Sequence, residues 1–162
     1  MSRHRVRILP LALLILCALS AFAQAPPKAY GPPIGVENAK KIAAGALAEA
    51  KKNNWYMAVA VVDVSGTLVY YEKMDNTQTG SANVAIEKAR TAAMFKRPTK
   101  VFEDAVTGGG AGLRVLGLPG GIPIEGGIPL LMDDKIVGAI GVSGDSSDHD
   151  GLCAKAAADA LK

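Results

Sequence analysis

Histidine, cysteine and aromatic residues are scarce in this sequence of 162 residues, which holds two histidines, two cysteines, one tryptophan and 5% aromatics in all. Each shortage closes off a class of function. Cys17 lies in an N-terminal apolar run that reads as a cleaved leader, so Cys153 is left without an intramolecular partner and a disulfide framework is excluded. His4 lies in the same leader. His149 then stands alone, and no His/Cys cluster of zinc-ligand spacing remains. Gly141-Val142-Ser143-Gly144 falls one residue short of the G-x-S-x-G elbow of serine hydrolases and has a single histidine to act as base. The glycine runs contain no G-K-[ST] phosphate loop and no complete dinucleotide fingerprint. Basic residues outnumber acidic ones, 18 to 15, but Arg3, Arg5 and Arg7 account for the whole excess. Without them the signs balance, and neither a nucleic-acid footprint nor a polybasic membrane surface remains.

Those three arginines precede the apolar run Ile8 to Leu19, which is shorter than the roughly 20 residues needed to span a bilayer. Ala21-Phe22-Ala23 follows as a small-residue cleavage site. We therefore expect residues 1–23 to be a signal peptide cut after Ala23, and the product to be periplasmic or secreted. Residues 24–33 hold four prolines and read as a flexible or extended lead-in. Residues 34–162 are long enough for one domain with one core.

Within that domain, Val36, Ala39, Ile42, Ala43, Ala46 and Leu47 recur at three- and four-residue steps and predict an amphipathic helix to Lys52. Met57 to Val64 reads as a buried strand, Ser65-Gly66 as a tight turn and Thr67 to Glu72 as the returning strand. A helix is expected over Ser81 to Phe95, and a shorter one from an N-capping Thr99 to about Val106. After the glycine-rich stretch, Ile128 to Met132 and Lys135 to Val142 form a second hairpin around Asp133-Asp134. A short strand is expected at Ile122 to Glu125, and a last helix from Ser146 to about Leu161 that buries Cys153. The order helix, hairpin, two helices, hairpin, helix predicts an α+β fold with one antiparallel sheet covered by helices.

Chemistry concentrates on Glu87 to Phe95. Lys88, Thr91 and Phe95 share one helical face, with Arg90 and Met94 as an adjoining i,i+4 pair. Cations, a hydroxyl, a thioether and a ring suit a flat apolar molecule that carries carboxylates; the competing reading packs Met94 and Phe95 in the core and solvates the charges. Gly108 to Gly112 serves either close backbone approach or a mobile lid. His149, between two aspartates, reads as part of a surface capping turn. Asp63, Asp75 and Asp150 are the acid–base groups of an alternative reading, an enzyme acting on a small organic substrate.

Five segments occur in a recognisable order: Ala58 to Gly66 (A-V-A-V-V-D-x-x-G), Lys88 to Ala92 (K-A-R-T-A), Arg97 to Thr99 (R-P-T), Gly126 to Leu130 (G-G-I-P-L) and Val137 to Gly144 (V-G-A-I-G-V-S-G), before Asp150 at the last helix. This series resembles the GlcG/HbpS haem-binding family, also described as haem-degrading, over nearly all of residues 36–162. The resemblance implies a profilin-like fold with an antiparallel sheet of about five strands flanked by helices, and homo-oligomers from dimer to octamer. It implies haem as cofactor and, for some exported members, a sensor protein as partner. Carried onto this chain, it places Thr91 nearest the haem, with Lys88 and Arg90 as propionate partners. The first helix has no histidine, which leaves Thr91, Met94 or a tyrosine as axial candidates. The expected function is an exported small-ligand-binding protein for haem or a related tetrapyrrole, in haem handling or redox sensing, with the small-substrate enzyme and a partner-binding accessory module as alternatives.

Overall fold

The alanine-rich periodicity after the proline segment forms α1, Val36–Lys52, which buries Ala39, Ile42, Ala43, Ala46, Leu47 and Ala50 along one stripe. The structure is a computed structural model that describes residues 28–161; the expected signal peptide lies outside them. Next come β1, Ala58–Asp63, and β2, Leu68–Lys73. Asp63 Oδ1 accepts the N–H groups of Ser65 (2.8 Å) and Thr67 (3.0 Å), and Gly66 takes φ 79°, so the turn chemistry read from the sequence closes this hairpin. Helices α2, Ser81–Phe95, and α3, Lys100–Thr107, follow, then a 3-10 helix, Gly110–Gly117. The second hairpin is β3, Gly127–Met132, and β4, Lys135–Ser143, turned by Asp133 and Asp134 at φ 48° and 60°. The chain closes on α4, Ser147–Asp159.

The sheet is antiparallel with order β2-β1-β4-β3. It has four strands rather than about five, because Ile122 to Glu125 stays in a loop. Strand alternation divides the core. Met57, Val59 and Val61 point with Ile140 and Val142 toward α1 and α4, while Ala58, Ala60, Val62 and Ala139 meet Ala85, Ala89, Ala92 and Ala93 of α2. The α2 side is built of the smallest side chains, so the helix backbone lies almost on the strands. A Cβ on Gly141 would come within 2.0 Å of the Ala85 carbonyl oxygen, and one on Gly127 within 2.3 Å of that of Lys88.

Residues 28–33, the described part of the expected lead-in, run extended with Ile34 beside the start of β4. Gly31 N–H donates to Ile136 O (2.7 Å), Ile136 N–H to Ala29 O (2.9 Å) and Ile34 N–H to Val137 O (2.8 Å). Thr99 stands at the N-cap position of α3, but its hydroxyl does not cap that helix. It accepts Gly127 N–H at 2.9 Å, and the Thr99 N–H answers to Gly127 O at 3.0 Å, so it binds the start of β3.

Candidate functional site

Helix α2 packs by alanine, so its larger side chains are left at the helix flanks, where the expected site residues lie. Lys88 is 1% exposed. Its ammonium donates to Asp150 Oδ2 at 2.6 Å and to Val142 O at 3.2 Å. Gly126, at φ 123°, leaves the room: a Cβ there would stand 3.0 Å from Lys88 Nζ and 2.6 Å from Val142 O. Burial pushes the Asp150 carboxyl above the usual aspartate range, and the Lys88 charge opposes that. Lys88, expected beside a propionate, is therefore an interior partner of Asp150. Asp150, weighed as an acid–base group, is engaged in the same pair.

Thr91 is fully buried. Its hydroxyl donates to Gly120 O at 3.0 Å and accepts Ile122 N–H at 3.1 Å. The other two expected residues face outward. Met94 is 51% exposed, beside Gly66 of the first hairpin. Arg90 donates from Nε to Gly66 O (3.1 Å) and from Nη1 to Glu87 Oε1 (2.7 Å). Of the four residues the structure thus brings Arg90 and Met94 together on the outer face and sets Lys88 and Thr91 inside.

Tyr30 joins that outer face from the N-terminal strap, a contribution no local pattern could announce. Its hydroxyl donates to Ala93 O at 2.8 Å, so it serves a C-terminal carbonyl of α2, and Lys96 Nζ lies 4.1 Å from its ring centroid. Partial burial raises the Tyr30 phenol above its ordinary value of 10.0. A half-exposed thioether, a tyrosine ring and the cations Arg90 and Lys96 together can contact a planar apolar ligand and meet its carboxylates.

Elsewhere the expected residues have structural duties. Asp63 holds its turn, as above. Asp75 lines a shallow cavity of about 370 Å³ with Lys51, Tyr56 and Glu72. His149 stacks on Trp55 with ring centroids 3.9 Å apart, and its Nδ1 lies 3.1 Å from Asp145 Oδ1. The Ser146 N–H, and then His149, hold the Asp145 carboxyl below the ordinary aspartate value. Ser146 Oγ accepts His149 N–H at 3.4 Å, so this is the capping turn the sequence predicts. One cluster escaped the sequence reading. Carboxylate oxygens of Glu103, Glu125 and Asp148 lie within 4.8 Å of one another, an oxygen set of the kind hard cations take. Burial foremost raises the Glu125 carboxyl, Lys100 opposes this, and Glu103 and Asp148 add to it. The three come from separate elements with no common spacing.

Comparison with known proteins agrees with this architecture. The chain is 41% identical to Protein GlcG of Escherichia coli K12 over 105 residues, 65% of this chain and 77% of that protein. A double mutant of HbpS from Streptomyces reticuli superposes with a TM-score of 0.73 at 30% identity, covering 86% of this chain and 99% of that one. A PduOC:heme complex superposes with a TM-score of 0.72 at 26% identity, covering 80% and 96%. The family model described as "Haem degrading protein HbpS-like" matches residues 34–159, and the chain belongs to that family.

Proposed function

We propose that this protein binds haem or a related tetrapyrrole on the outer face of α2, and that it does so after export, in haem handling or redox sensing. The observation that carries the reading is the half-exposed Met94 thioether, set between Arg90 and the Tyr30–Lys96 pair on a helix whose other face is fully packed. An exposed thioether is a soft ligand for iron and adapts to a flat apolar surface. Arg90 and Lys96 are placed for propionates, and Thr91 acts from behind by fixing the loop that borders the helix. Family membership and a haem complex among the structural neighbours support haem over other flat acids. Assembly into homo-oligomers would enclose a ligand that one protomer leaves half open. A sensor protein is the partner that a haem-responsive, exported member would address.

The test is a hemin titration of residues 24–162, followed at the Soret band, beside Met94→Ala and Arg90→Ala. A saturable band of fixed stoichiometry, weakened about tenfold or more in affinity by Met94→Ala, is expected; that is about 1.4 kcal/mol. A non-saturating response in the unaltered chain would overturn the reading.

A further inference from the structure

Residues 109–121 are joined to the rest of the molecule in an unusual way. The 3-10 helix they contain buries none of its own residues, and among the described residues it packs appreciably on α3 alone. Leu116 is 64% exposed and Leu113 is also on the surface. Backbone hydrogen bonds made by Gly109, Gly112, Leu118 and Gly121 N–H are all local, to residues three positions back. The hydrogen bonds that cross to the helix–sheet body are the two made by the Thr91 hydroxyl, to Gly120 O and from Ile122 N–H. Left-handed glycines stand at both ends, Gly109 (φ 68°) and Gly110 (φ 54°) at one and Gly120 (φ 72°) at the other, with open space where each Cβ would be.

From this we infer that residues 109–121 are a flap, hinged at those glycines and latched shut by Thr91, that opens as a unit while the helices and the sheet stay folded. A segment with few buried contacts and one polar tether belongs to the low-stability end of a fold, and opens without unfolding the remainder. Thr91 is then a positioning residue: buried and doubly bonded when the flap is shut, uncovered when it opens. The flap is independent of the haem site proposed on the Arg90 and Met94 face of the helix.

Thr91→Val removes both hydrogen bonds at nearly constant shape, whereas Thr91→Ser keeps the hydroxyl. Amide exchange over 109–122, without ligand, should be roughly tenfold faster in Thr91→Val, the size expected from losing hydrogen bonds of ordinary strength. Tryptic cleavage after Arg114 should accelerate in parallel, while exchange in β1 and β4 is unchanged and Thr91→Ser stays close to the unaltered protein. Gly120→Ala, which strains the closed loop and leaves Thr91 intact, should release the same segment and serves if Thr91→Val does not fold. Unchanged exchange over 109–122, or a rise spread evenly over the chain, would overturn the flap.

Discussion

Residue-level chemistry here is dominated by groups taken out of water. Lys88 and Asp150 form an ion pair with side chains 1% and 3% exposed. Removing one partner of such a pair strands a buried charge, at a cost of about 3–5 kcal/mol, while replacing both by apolar side chains is often neutral or stabilising. Asp150→Ala should therefore lose stability on that scale in urea unfolding, and Lys88→Met with Asp150→Leu should recover most of it. A single-site loss under about 1 kcal/mol would mean the pair is relieved by water. Cys153 gives a second expectation. Burial first, then Asp150, Glu49 and Asp145, push its thiol from 9.0 up to about 12. Between those values the folded protein keeps a proton that the unfolded chain releases, so this group's contribution to stability falls as pH rises from 9 toward 12. Thermal melts at pH 8 and pH 10 should show a drop in Tm that shrinks in Cys153→Ala, and a thiol reagent at neutral pH should label the native chain slowly.

At the level of elements, the notable contact is α2 on β4 and β3. Glycine is needed there because the helix backbone occupies the space of a side chain. Gly141→Ala should force α2 outward and cost about 1–3 kcal/mol, the usual range for overpacking a tight core. Gly35→Ala, where an added Cβ meets nothing within 4 Å, should be close to neutral in the same urea assay. Equal effects at the two sites would refute the close-approach account. Element types were largely legible in the sequence for the reason that makes this packing possible. Period-3.6 alanine patterns gave α1 and α2, and period-2 valines and Gly/Asp turns gave the two hairpins. Ile122 to Glu125 misled because Pro123 has no N–H to give a ladder, and the N–H groups of Ile122 and Glu125 go to the Thr91 hydroxyl and the Glu103 carboxylate instead.

For the molecule as a whole, the sheet is held between α1 with α4 on one side and α2 on the other, so both faces should fail together. Trp55, stacked on His149 at one end of the sandwich, is the sole tryptophan and reports on that side. Its fluorescence and the far-UV circular dichroism should trace one urea transition. Separated midpoints would show that the α2 layer unfolds by itself. The five family segments, distant in sequence, meet in this architecture. Val142 N–H donates to Gly126 O (2.9 Å), Lys88 reaches Val142 and Asp150, and Thr99 exchanges hydrogen bonds with Gly127. Much of what made the sequence recognisable is thus the means by which α2 is seated on the sheet.

The sequence by itself determined the four α-helices, the two hairpins with their turns, and the family. Those are local or patterned properties, set by periodicity and by the φ each turn demands. Which side chains meet was decided only by the tertiary structure. Helical spacing separates Lys88 and Thr91 from Arg90 and Met94, yet only the packing of α2 on the sheet turns the first pair inward and leaves the second outside. Asp150 lies 62 positions from its lysine and Tyr30 63 from the carbonyl it serves. No spacing rule spans such distances, because burial and pairing depend on how layers stack, and that is a property of the folded chain.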